Sequence, residues 1–195
     1  MRKWNIGLKK TQKNKISMAF RFILFSALLA VASACGTTTG METPGEKTYN
    51  VTGTIQTHSP YCGGARPTPE VENGFNEPVR NADFYIYTGE RPSNVKDMTK
   101  VTTDEEGKFS VALPNGVYSM IQASKLLPLD EFIELKQIKG ENYINGDTEC
   151  FQNWKNGIDF SFNVESSDCS PLFTEMKRCF TGANPCLEYT GPYPP

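Results

Sequence analysis

Only one histidine, His58, occurs in 195 residues. There is no glycine-rich phosphate loop, no Gly-x-Ser-x-Gly elbow and no DxDxDG-type calcium loop. Phosphate-loop chemistry, nucleophile-elbow hydrolysis and EF-hand calcium binding therefore lack their residue patterns. Basic residues are scarce beyond the first 34 positions. Residues 1–34 hold seven of the 20 and no acid, so residues 35–195 carry 13 basic against 22 acidic residues. That is a net charge of −9, which the whole-chain value of −2 conceals. Such a domain is a poor partner for nucleic acid or anionic lipid. No cluster of Arg and Lys with interleaved aromatics provides an exception. After residue 34 no stretch is apolar enough to span a bilayer.

What is present begins with export. Basic residues from Arg2 to Arg21 precede the uncharged run FILFSALLAVASA at 22–34, which ends in Ala32, Ser33 and Ala34. Thirteen residues are too few to cross a bilayer comfortably as a helix. The charge, core and small-residue order is that of a signal peptide over 1–34. Met18 provides a second, more compact start. Ala-Ser-Ala-Cys35 resembles the bacterial lipoprotein signal, in which the cysteine becomes the first mature residue and carries acyl chains. That resemblance implies lipidation of Cys35 and membrane lipid as a partner. Secretory cleavage after Ala34 is the other route, since Ala32 and Ala34 satisfy the small-x-small rule. Residues 35–47 are polar and rich in Thr and Gly, which suits a tether. Residues 48–195 form one domain with a C-terminal extension, long enough to bury a real core.

Six cysteines occur. With Cys35 lipidated, five remain, and in an oxidising compartment most should pair. Two bridges among Cys62, Cys150, Cys179 and Cys186 are expected, in any of three pairings. Cys169, in the polar stretch ESSDCSP, is the expected free thiol. Without lipidation three bridges become available.

Strand patterns dominate the domain. YNVTGTIQ at 49–56 reads as the first strand, followed by a turn-rich insert over 57–78. NADFYIYTG at 81–89 alternates, with Ala82, Phe84 and Ile86 on one face and Asp83, Tyr85 and Tyr87 on the other. VKDMTKVTT supplies a third strand. Asp104-Glu105-Glu106-Gly107 reads as a solvated turn, and Phe109, Val111 and Leu113 then share a face. Pro114-Asn115-Gly116 is the next turn, and the pattern predicts a hairpin with residues 117–123. Residues 124–156 mix strand and turn features. GIDFSFNV at 157–164 is a strand, residues 170–180 a strand or short helix, and the closing prolines forbid a long element. Apolar faces of this kind need cover from a second sheet, giving an all-β sandwich.

The run Val51-x-Gly53-x-Ile55, then Pro78-x-x-Asn81-Ala82-x-x-x-Ile86, continues as Thr103-Asp104-x-x-Gly107-x-Phe109-x-Val111-x-Leu113-Pro114-x-Gly116-x-Tyr118. Over roughly residues 49–124 it resembles the carboxypeptidase regulatory-like domains. That resemblance implies a transthyretin-like (prealbumin-like) β-sandwich, here with a Cys-containing loop and a C-terminal extension. The layout is also similar to small lipoproteins of Bacteroidetes-type bacteria. It implies a non-catalytic module of the bacterial cell envelope, at the outer membrane, with a structural or protein-binding role.

Candidate chemistry is sparse. His58 and Cys62 lie four residues apart, but an exported cysteine usually pairs, so a bridge is preferred to a thiolate–imidazole couple. Cys179 and Cys186 are spaced too widely for a zinc knuckle, and no metal or other cofactor is expected. Nothing singles out two of the 22 acids as a glycosidase pair, and no catalytic residue is assigned. Arg66, in GGARP, has the donors for an anion or peptide carboxylate. Tyr61, Tyr189 and Tyr193 around it would form a contact surface for envelope proteins or glycans. A carbohydrate-binding module is the second functional reading and a glycoside-active enzyme the third. Exposed aromatics in a row on one sheet face would favour sugar, and a flat apolar patch would favour protein.

Overall fold

A computed structural model describes residues 46–192. The signal segment, Cys35 and Tyr193 lie outside the described residues, as does all of the tether before residue 46. Two sheets face each other in an all-β sandwich, and a small helical insert and a two-stranded ribbon are attached to one end.

The first sheet is built on β1 (Thr48–Ser59). Its first half pairs antiparallel with β5 (Lys108–Pro114), from Thr48 opposite Pro114 to Thr54 opposite Lys108. Its second half pairs with β2 (Phe75–Pro78), while β9 (Leu172–Met176) runs parallel beside Thr54–His58. The second sheet has the order β4 (Thr99–Thr102), β3 (Asp83–Thr88), β6 (Gly116–Gln122), β8 (Phe160–Val164), all antiparallel. The core forms where alternate residues of both sheets meet. Val51, Ile55, Phe109, Leu113 and Phe173 come from the first sheet, and Phe84, Ile86, Val101, Tyr118, Met120 and Val164 from the second.

The alternation over 108–123 is observed, but its expected pairing is corrected. β5 and β6 form no hairpin, because β5 spends its ladder on β1 and β6 on β3 and β8. The Pro114-Asn115-Gly116 turn carries the chain from one sheet to the other, and the two apolar faces meet across the core. Pro114 has no N–H with which to extend the ladder. The Tyr118 hydroxyl donates to the Pro114 carbonyl at 2.9 Å and braces the crossing. The Asp104 turn crosses likewise from β4 to β5. Asp104 Oδ1 accepts from the N–H groups of Glu106 and Lys108, at 3.0 and 2.7 Å.

The other face of β3 is not left to water. Tyr87 is buried with Met98 and Ile121, and Tyr85 and Leu126 pack against them. Residues 124–156 contain two helices that strand periodicity did not reveal, α1 (Leu129–Lys136) and α2 (Thr148–Asn156). Asp147 caps α2 by accepting from the Cys150 N–H at 2.8 Å. One face of each helix, Phe132 and Phe151, is buried with Cys186 in a small separate core. Between them β7 (Tyr143–Asn145) pairs with β10 (Leu187–Tyr189).

Gly107 has a φ of +74°, and a Cβ there would lie 2.4 Å from the Ile55 carbonyl oxygen. Gly89 has a φ of +65° with nothing within 4 Å. Gly107→Ala is expected to lose about 2 kcal/mol or more and Gly89→Ala about 1 kcal/mol, the difference being the backbone clash. Urea unfolding midpoints of the two variants check the ordering.

Candidate functional site

Two regions gather polar and aromatic groups. The first is the disulfide corner. Cys62 is bridged to Cys179 and Cys150 to Cys186, which leaves Cys169 as the free thiol among the described residues. The first bridge ties the insert after β1 to the segment after β9. The second ties α2 to the start of β10. A cavity of about 500 Å³ lies between them, lined by Cys150, Cys179, Cys186 and Tyr189 together with Arg178 and Phe180. The Tyr189 ring stacks on Phe180 at 4.4 Å and tilts against Tyr143 at 5.4 Å. Arg178 is held by backbone, donating to the carbonyls of Asn184 and Leu187.

The sequence candidates are only partly assembled here. Tyr189 joins the cysteines, but Tyr61 and Arg66 do not line this cavity. The Tyr61 hydroxyl donates to the Ala65 carbonyl at 3.0 Å and closes its own loop, while Arg66 is exposed. His58 faces Asn76 across the β1–β2 pair, its Nδ1 2.8 Å from Asn76 Oδ1, and Cys62 is oxidised. Among the described residues no group of three or more His, Cys, Asp or Glu is arranged to hold a metal ion.

The second region holds the residues that sequence reasoning missed. Lys125 and Asp159 form an ion pair of 2.7 Å, with their side chains 3% and 12% exposed. Lys125 Nζ also donates to the Gly157 carbonyl at 2.9 Å. The second Asp159 oxygen accepts the Gln122 N–H at 2.7 Å. Gln122 Nε2 in turn donates to Glu175 Oε1 at 3.2 Å. Arg91 fixes this floor from behind through the Lys125 and Lys155 carbonyls. Beside it the indole of Trp154 packs edge-on to Phe132 at 5.3 Å, with Lys136 Nζ 5.2 Å from its centroid. Lys125, Trp154, Asp159 and Glu175 line a cleft of about 320 Å³ between β8, β9 and α2.

Partial burial, and then the Asp159 charge, raise the Glu175 carboxyl above the usual glutamate range. Partial burial lowers the Lys136 ammonium below the usual lysine range, against the pull of Glu175 and Asp159. A perturbed carboxyl lining a cleft marks a functional candidate. The sequence signal is position. In LFTEM, Phe173 faces the core, so Glu175 two residues on is a charge in a core-facing register.

No family model matches the chain and no curated protein matches it. Solved structures similar to it include a DUF3823 family protein from Parabacteroides merdae, at 12% identity and TM-score 0.32, covering 65% of this chain and 45% of that one. A DUF3823 family protein from Bacteroides ovatus is similar at 13% identity and TM-score 0.31, over 66% of this chain and 44% of that one. The minor pilin GBS52 of Streptococcus agalactiae is similar at 12% identity and TM-score 0.32, over 67% and 45%. The chain thus spans less than half the length of each. The fold class rests on this chain's own two sheets. Among the described residues no helix is long and apolar enough to cross a membrane.

Glu175 binds its proton more tightly folded than unfolded. Its contribution therefore favours folding below the unfolded glutamate range and is lost as pH rises through the higher folded value. Glu175→Gln is expected to melt at or above the parent temperature at pH 7, with the gap closing on acidification. Thermal melts across that pH range measure it. Removing the Cys62–Cys179 bridge, with its separation of 117 residues, should cost about 5 kcal/mol. Removing Cys150–Cys186, separated by 36, should cost about 4 kcal/mol. Paired Cys→Ser variants in urea test that order.

Proposed function

We propose that this chain is a non-catalytic lipoprotein of the bacterial cell envelope, held at the outer membrane through an acylated Cys35. Its carboxypeptidase regulatory-like sandwich serves a structural or protein-binding role. The observation that carries the reading is the oxidised pair of bridges, Cys62–Cys179 and Cys150–Cys186, which belong in an exported domain. The position of Cys35 directly after the apolar run supports the anchor. The outer face of β9 supports a protein contact, since Leu172 and Met176 are 62% and 64% exposed, two positions either side of Thr174. Sheet faces offer less to sugar, because Phe75 is the one exposed aromatic among the described residues.

Peptide mass spectrometry of protein taken from its native membrane without reductant tests this reading. The expected result is a diacyl- or triacylglyceryl mass on Cys35, two bridges and one free thiol at Cys169. Cys35→Ser should release the chain from membranes. An unlipidated chain with Cys62 reduced would refute it.

A further inference from the structure

The cleft between β8, β9 and α2 has no part in anchoring, and it opens beside the exposed face of β9, since Thr174 and Met176 are among its lining residues. We propose that it binds a neutral, polyhydroxylated ligand, one hexose unit of a glycan. Its volume of about 320 Å³ is at the small end of ligand pockets, about 300–1,000 Å³, which suits one sugar ring rather than a buried chain.

The walls pair the two surfaces that a pyranose presents. Trp154 offers an aromatic surface to the C–H face. Glu175 and Lys125 offer hydrogen bonds to the hydroxyls. Their capacity is not used up. Glu175 Oε1 accepts from Gln122, and no hydrogen bond to its other oxygen occurs among the described residues. Lys125 Nζ bonds Asp159 and Gly157, which leaves one of its three protons.

Charge balance selects a neutral ligand. Asp159 is paired with Lys125, and the ammonium groups of Lys136 and Lys177 act on Glu175 through space. An added cation or anion would leave one charge unmatched where solvent is partly excluded, which is costly. Hydroxyls both donate and accept, and so meet both signs. The pair is not set for glycoside cleavage, because each Asp159 oxygen is already engaged, by Lys125 and by the Gln122 N–H.

The chain has two tryptophans, Trp4 and Trp154, so full-length Trp4→Phe in detergent reports Trp154 alone. Its emission is titrated with glucose, galactose, mannose and N-acetylglucosamine, and with glucuronate and glucosamine as charged counterparts. The expected result is a saturable change with at least one neutral sugar. Glu175→Gln should weaken it by about fivefold, the loss of one hydrogen bond, without lowering the melting temperature. No saturable change with any of the four neutral sugars overturns the proposal. So does undiminished affinity in that variant, or tighter binding of either charged sugar.

Discussion

Phe173 packs between rings from both sheets. Phe109 of the first sheet lies 6.3 Å away, and Phe160 and Phe162 of the second lie at 5.2 and 5.6 Å. Tyr118 extends the group by stacking on Phe162 at 5.5 Å, and Phe84 reaches Phe160 at 6.3 Å. Aromatic contacts of this kind add to a large burial of apolar area, so they fix how the two sheets meet. Because Phe173 is on β9 and its partners Phe160 and Phe162 are on β8, this cluster also brings together the two strands that flank the charged cleft.

The cleft follows from what the cluster leaves uncovered. Beyond Phe160 the chain turns through Asp159, and beyond Phe173 it reaches Glu175, so two carboxylates arrive at the same end of the core. A lone buried carboxylate is costly unless paired. Lys125 supplies the pair, and the short turn after β6 delivers it. Breaking such a pair leaves an uncompensated charge worth about 3–5 kcal/mol. The arrangement therefore fixes the local backbone as firmly as it shapes the cleft. The disulfide corner works differently, holding together loops and short elements whose small core, Phe132, Phe151 and Cys186, is too slight to do so by itself.

Much of the sandwich was legible in the sequence. The alternation of Phe109, Val111 and Leu113, the acidic turn at Asp104 and the strand at 160–164, which begins three residues later than expected, all rest on short-range rules of strand pleat and turn chemistry. The partner of β5 was not legible, because a Pro-Asn-Gly turn has much the same local signature whether it joins neighbours in one sheet or crosses between two. The helices α1 and α2 escaped because each is short and buries one aromatic, too little periodicity to stand out. At the candidate site, Tyr61, Arg66 and Tyr189 stood out by their donors and rings close in sequence to Cys62 and Cys186. Glu175, Asp159 and Lys125 are common types whose meaning lies in where the fold puts them.

The sequence by itself determined the export pattern, the acidic character of the domain, the strand-rich class and which cysteines were at hand to pair. Those properties depend on composition and on contacts a few residues apart. Only the tertiary structure decided that Cys62 meets Cys179 across 117 positions, that β5 and β6 part into different sheets, and that Lys125, Asp159 and Glu175 share one cleft. Each of these depends on side chains far apart in the chain being brought into contact by packing, and burial then sets the charge and proton affinity of the groups that meet.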